Sequence, residues 1–309
     1  MSSVVVVGDV LLDVDVHGEV ERLCPDAPVP VLDVTGEVAR PGGAGLAAAL
    51  LAGSGVRTTL VTALAEDGER VRGLLAPALE LITGPATGGT PVKCRWHSAE
   101  GPLLRTDTGS GRPAGEFGET VRTDLSRALD GAGAVLVSDY GRGVTADPQV
   151  RRMLADAVAA GTPVVWDPHP KGSDPVPGVI MTPNAKEAAG ALGLPGGDPV
   201  GCAAELRRRR ESHAVVVTRG ERGAVLVTAS DRVAVPALDV TGGDPCGAGD
   251  AFAGRLAAAL AGGSSLPAAV ESAVEAAGRF VEAGGAATVR CLDGRWTQVS
   301  PTSVSERAS

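Results

Sequence analysis

Short apolar runs recur along the chain at Val4–Val7, Thr59–Val61, Ala134–Val137, Pro163–Trp166, Val179–Met181, Ala214–Val217 and Ala224–Val227. Between most of them lie Ala/Leu-rich segments with apolar residues at helical spacing, at about 44–53, 119–130, 147–160, 185–193 and 199–212. Two more helical stretches follow, at about 248–262 and 266–284. Runs that are apolar at every position suit strands buried on both faces. Their alternation with helices predicts an α/β fold: a mostly parallel central sheet sandwiched by helices. Ligands in such sheets bind beyond the carboxyl ends of the strands, so the residues just after each apolar run are the ones to read for chemistry.

Two segments break the alternation. Residues 14–35 hold Pro25, Pro28 and Pro30 among β-branched positions, and residues 90–106 read Thr-Pro-Val-Lys-Cys-Arg-Trp-His before Gly101-Pro102. Both predict short antiparallel strands added to the main sheet, whose natural use is a small β lid. The expected organisation is one domain over 1–300, followed by a polar, disordered tail at 301–309.

Composition narrows the function classes. Lys and Arg number 28 against 37 Asp and Glu, a net charge of −9 that disfavours a nucleic-acid partner. The run Arg207–Arg210 reads as a solvated helix face. No apolar stretch approaches the ~20 residues that cross a membrane. The start Met1-Ser2-Ser3-Val4 has no basic region before its apolar run, so a cytoplasmic protein is expected. Cys24, Cys94, Cys202, Cys246 and Cys291 form no CxxC, and the four histidines are equally dispersed, which speaks against a disulfide framework or a structural metal. GxxxxGK[ST], a post-strand GxGxxG, HExxH and GxSxG are all missing from the sequence.

Four stretches carry candidate chemistry. Gly242-Gly243-Asp244-Pro245-Cys246-Gly247-Ala248-Gly249-Asp250 is a small-residue turn feeding a helix. Unpartnered amides at Gly247, Ala248 and Gly249 and the helix dipole would make an anion site there, with the Asp250 carboxylate in the same space. The plainer alternative is an acidic residue stabilising the helix start. Thr182-Pro183-Asn184-Ala185-Lys186-Glu187 puts an amide oxygen and a carboxylate one turn apart, suited to Mg²⁺ that keeps several waters, or to simple capping. Thr218, Gly220 and Gly223 follow the run at 214–217 and suit either nucleotide phosphates or a tight hairpin turn. Asp13, after Gly8-Asp9, and Gly42-Gly43 before the first helix could meet ligand hydroxyls, or Asp13 could simply hold a turn.

In order and spacing, Gly42-Gly43-Ala44, Asn184/Glu187, Thr218-Gly220-Gly223 and Asp244–Asp250 together resemble the ribokinase-like (PfkB) carbohydrate kinases, over about Val4 to Thr288. Gly8–Asp13, Arg22–Val31, Ser138–Gly143 and Asp167-Pro168 with Lys171-Gly172 are most similar to the D-glycero-β-D-manno-heptose-7-phosphate kinase branch. The resemblance implies transfer of the γ-phosphoryl of ATP, with Mg²⁺, to a sugar hydroxyl, in that branch the C1 hydroxyl of a heptose 7-phosphate. It assigns Asp250 to the acceptor proton, the amides of Cys246–Gly249 to the transferring charge and Asn184 with Glu187 to Mg²⁺ through water. ATP falls to Thr218, Gly220, Gly223 and Asn184, and the sugar to Asp13, Gly42 and Gly43. Lys93, Arg105, Arg142 and Lys171 are candidates for a substrate phosphate. A homodimer through the β lid is also implied.

The sequence departs from the family in three places. Leu46 stands where an Asn usually meets sugar hydroxyls, Arg142 where Lys is common, and the Asp-Pro-Lys-Gly stretch is widened to Asp167–Gly172. Loss of one polar contact can change substrate choice by orders of magnitude, which leaves a kinase for another sugar-like acceptor as the alternative. An inactive sugar- or nucleotide-binding homologue is a third reading, and such a descendant need not keep Asp250.

Overall fold

The computed structural model describes residues 3–240 and 242–299, so the expected tail at 301–309 lies outside the described residues. The first half of the chain runs β1 (Ser3–Gly8), β2 (Val10–Leu23), β3 (Pro30–Gly43), α1 (Ala44–Gly53), β4 (Arg57–Leu64), α2 (Glu69–Leu75), β5 (Glu80–Thr87), β6 (Val92–Ser98), β7 (Gly101–Thr108), β8 (Arg112–Pro113), α3 (Glu119–Asp130) and β9 (Ala134–Ser138). The second half runs α4 (Pro148–Ala159), β10 (Val164–Asp167), β11 (Ile180–Met181), α5 (Ala185–Gly190), α6 (Pro199–Arg209), β12 (Ala214–Thr218), β13 (Ala224–Val227), β14 (Arg232–Val235), α7 (Ala248–Ala261), α8 (Leu266–Glu282), β15 (Val289–Leu292) and β16 (Arg295–Gln298).

The main sheet has the order β14-β13-β12-β11-β10-β9-β1-β4-β5-β8. From β12 through β5 all neighbours are parallel; β13, β14 and β8 add antiparallel edges. The expected α/β sandwich is present. Strand alternation divides the core: Val4, Val6 and Leu136 face a cluster with α1, α7 and α8, while Val5, Val7, Val135 and Val137 face one with α3, α4 and α6. Local chemistry sets the helix starts. Asp147 caps α4 by accepting from the amides of Gln149 and Val150, with Pro148 at the first helical position.

The lid differs from expectation in size and attachment. It is a separate sheet of order β3-β2-β6-β7, not an extension of the main one, and β2 and β3 are 14 residues each. β2 pairs antiparallel with β3 but parallel with β6. A β-bulge at His17/Gly18 interrupts the β2–β3 ladder, where a Cβ on Gly18 would meet the Asp33 carbonyl at 2.5 Å. Leu12, Val14 and Val16 point to an apolar cluster that includes Val71 and Leu75 of α2. The opposite face carries Asp13, Asp15 and His17 beside Lys93, Arg95 and His97 in register.

Strand order reverses around β1, which lies between β4 and β9. The crevice beyond the carboxyl ends of β1 and β9 is therefore the expected ligand position. Asp9 follows β1 directly and Tyr140 follows β9 after Asp139, and α7 packs against β1, β9 and β10 with its N-terminus at the same end.

Candidate active site

The tip of α7 is shaped by one glycine conformation. Gly247 caps the helix at φ 82°, a left-handed conformation that side chains resist. A Cβ there would also come within 2.9 Å of Leu46 Cδ2. Asp244 accepts from the Cys246 amide at 2.9 Å, and Ala248 donates to the Pro245 carbonyl at 3.1 Å. Among the described residues the amides of Gly247, Gly249 and Asp250 find no partner. Three bare N–H groups at one helix start make an anion cradle.

Asp250 lies beside that cradle, only 6% exposed. Burial pushes its carboxyl up to about 7; the Tyr140 hydrogen bond opposes the rise, Asp13 adds to it, and Lys93 opposes it. A carboxylate poised near neutrality, rather than one stabilising a helix dipole, is suited to taking a proton. Asp167, at the end of β10, is pushed well above the usual carboxylate range by burial and by the charge of Asp250. Thr182 donates to it at 2.9 Å.

The lid closes the other side. Asp13 pairs with Arg95 at 3.0 Å, and Arg95 reaches Cys246 Sγ at 3.8 Å, joining the lid to the α7 tip. Gly42 lies against Asp13: a Cβ there would sit 2.2 Å from Asp13 Oδ2. Gly43, at φ 61°, caps α1. Lys93 Nζ stands 5.4 Å from the Tyr140 ring centroid.

The remaining predicted residues take peripheral or capping places. Asn184 and Glu187 form a reciprocal capping box, each side chain accepting the other's amide at 2.9 Å. Thr218 bridges to Asn184, and Gly220 and Gly223 form a 3₁₀ turn between β12 and the antiparallel β13, so this stretch is geometrically a hairpin. Arg105 is exposed and spent on Asp107, 2.7 Å away on its own strand. Among the described residues the Arg142 side chain reaches only the Gly109 carbonyl, at 3.4 Å, and Lys171 is exposed. Leu46 is 2% exposed and seats the α7 tip from below.

Sequence reasoning assigned no role to Arg95, Tyr140 or Asp167. Arg95 was detectable, because Lys93, Arg95 and His97 alternate along β6 and share one face. Tyr140 and Asp167 end or follow strands of the sheet, where position alone marks them.

Comparison with known proteins accords with this geometry. Residues 151–291 match the model of the pfkB family carbohydrate kinases. This chain is similar to that family over those residues. It is 48% identical over 300 residues to "Bifunctional protein HldE" of Streptomyces coelicolor, covering 93% of this chain and 62% of that protein. Against the protein of the same name from Paramagnetospirillum magneticum it is 37% identical over 295 residues, covering 91% and 60%. The chain thus spans about three fifths of the length of the curated relatives it matches. Arabidopsis thaliana ribokinase, solved with ribose and ATP, shares the fold of this chain with TM-score 0.70 at 20% identity, covering 93% of this chain and 95% of that one. Escherichia coli phosphofructokinase-2 with substrates and products does so at TM-score 0.70 and 19% identity, covering 100% and 98%. No helix among the described residues is long and apolar enough to cross a membrane.

Proposed function

We propose that residues 1–300 form one kinase domain that transfers the γ-phosphoryl of ATP to the C1 hydroxyl of D-glycero-D-manno-heptose 7-phosphate, in the cytoplasm. The observation that carries the kinase reading is the buried Asp250 carboxylate beside the three unpartnered amides of Gly247, Gly249 and Asp250. The heptose branch is supported by the motifs at Gly8–Asp13, Arg22–Val31 and Ser138–Gly143, and by the 48% identity to a protein named HldE.

Phosphoryl transfer passes through a loose transition state, so positioning and charge stabilisation do most of the work. The acceptor hydroxyl gives its proton to Asp250 as its oxygen bonds to the γ-phosphorus, and the bridging P–O bond breaks to release ADP. The bare amides at the α7 tip would stabilise charge on the transferring group. Thr218, Gly220 and Gly223 would border the nucleotide, and Asp13, Gly42 and Gly43 the sugar. Lys93 and Arg95 are the lid cations best placed to neutralise phosphate, with Arg105, Arg142 and Lys171 at the margins. Closing the lid would keep water from the γ-phosphate.

The residues fit a Mg²⁺ ion held largely by phosphates and waters. No group of three or more His, Cys, Asp or Glu among the described residues could cage a metal. Glu187 Oε1, however, has no partner among the described residues, and Asp167 close by has no cationic one. When bound, Mg²⁺ would offset charge on the transferring phosphate. Asn184 and Glu187 would hold it through its waters.

The lid also exposes Leu23, Val34 and Leu104 at 61%, 57% and 59%, apolar surface suited to the lid of a second copy in a homodimer.

Assaying purified protein with MgATP against a sugar panel tests the reading. Turnover of heptose 7-phosphate is expected, and its failure beside turnover of another sugar would establish the alternative favoured by Leu46, a kinase for a different acceptor. No turnover of any sugar would favour an inactive binding homologue, a reading that the retained, buried Asp250 opposes.

A further inference from the structure

Tyr140, the single tyrosine of the chain, donates its hydroxyl to both carboxylate oxygens of Asp250, at 3.0 and 3.1 Å. A carboxylate so deeply buried favours its neutral form, and a neutral Asp250 cannot accept a proton. Among the described residues no other group donates a hydrogen bond to that carboxylate. We infer that Tyr140 is a positioning residue for the reaction, keeping the Asp250 carboxylate ionised and aimed at the acceptor pocket. This rests on the kinase reading of the site.

The tyrosine is held in place from several sides. Buried Asp9 accepts from the amides of Tyr140, Arg142 and Val144 at 3.1, 2.9 and 3.1 Å. Buried Asp139 accepts from the Gly141 amide, the Thr145 hydroxyl and the Ser173 amide at 2.8, 2.8 and 2.7 Å. Lys93 Nζ lies over the phenol ring, and the His169 ring stacks on it with its centroid 6.0 Å away. Gly43 lies alongside, where a Cβ would come within 3.3 Å of the ring. Two buried carboxylates thus act to place one loop.

The charged and titratable groups facing the pair are Asp13 of β2, Lys93 of β6, Asp167 of β10 and His169 beyond it. Asp13 opposes ionisation of both Tyr140 and Asp250, Asp167 that of Tyr140, and Lys93 favours the charged form of Asp250. Burial, then the charge of Asp250, holds the phenol well above its ordinary value, so Tyr140 keeps its proton and only donates. Each carboxylate oxygen retains a second lone pair for the acceptor hydroxyl.

Tyr140→Phe keeps the ring and removes the donor. In the full chain, with heptose 7-phosphate and MgATP, the acidic limb of kcat/KM should move up by about one pH unit, so the loss at about pH 6 exceeds that at about pH 9 roughly tenfold. An equal loss at every pH, or an unmoved limb, overturns the inference. Asp250→Asn separates the two readings. If it abolishes turnover while Tyr140→Phe leaves the limb in place, only the inference falls; if it turns over like wild type, the base assignment falls as well. A measurement without turnover decides the matter even if Tyr140→Phe does not fold. The ultraviolet phenolate absorbance of the single tyrosine should appear above its ordinary ~10 in wild type, and at least ~1 unit lower in Asp250→Asn. An ordinary titration in both proteins overturns the inference.

Discussion

The main sheet and the lid are held together by different forces. Every residue of Val4–Val7, Val135–Val137 and Val215–Val217 is apolar and at most 2% exposed, so hydrophobic burial fixes those strands. The lid instead carries charge on its inner face. Arg40 and Asp15 form a buried pair, His97 approaches Asp15 at 3.3 Å, and His17 stacks on His97 at 5.1 Å. Burial pushes Asp15 up, but Arg40 and His97 outweigh it and hold that carboxyl below its usual range. The sheet and the α7 tip give a rigid seat for the donor, while the lid supplies charge where an acceptor would bind. Non-directional burial serves the first task, and paired charges that can exchange partners serve the second.

The largest expected effect tests the rigid side. Asp250→Asn should lower kcat by roughly 10²–10⁴-fold with ATP affinity kept, measured by steady-state kinetics and nucleotide titration. The same variant should gain stability at alkaline pH. A carboxyl raised to about 7 contributes stability that is fully present below its unfolded value and lost as pH rises through about 7. Melting curves of the variant and wild type should therefore coincide near pH ~4 and separate by pH ~8, with the variant melting higher.

Arg40→Ala tests the lid. It strands the buried Asp15 charge and should cost about 3–5 kcal/mol by denaturant unfolding. A negligible loss would show that the lid is also held mainly by apolar contact. Leu46→Asn should cost about 1–3 kcal/mol, because the new amide is buried in an apolar seat under Gly247. A lower KM for sugar in that variant would show instead that the amide reaches the pocket.

Arg95→Ala should raise KM for the acceptor about tenfold, since losing a partly buried cation of the lid removes about 1.4 kcal/mol from a phosphate or hydroxyl contact. Its KM for ATP should stay within about twofold. An equal rise in both would place Arg95 on the donor side and remove the proposed division of labour.

Much of this is legible in the sequence. Fully apolar runs separated by helical spacing pointed to the parallel sheet, because a strand buried on both faces tolerates no polar residue. Gly247, Gly249 and Asp250 pointed to the α7 tip, because bare backbone before a helix is a local feature. The lid was harder to read: polar residues on one face, three prolines and a bulge at His17/Gly18 obscure 14-residue strands that pattern alone breaks into shorter ones. Asn184 and Glu187 show the opposite limit, since one spacing serves a capping box and a hydrated cation alike.

The sequence by itself determined which segments became strands and helices and where a phosphate could meet free amides, since both depend on neighbours within a few residues. Only the tertiary structure decided that Tyr140 meets Asp250 across 110 residues, and that Arg95 meets Asp13 across 82. Those pairs depend on strand order and on how the lid folds back, and no local propensity encodes either.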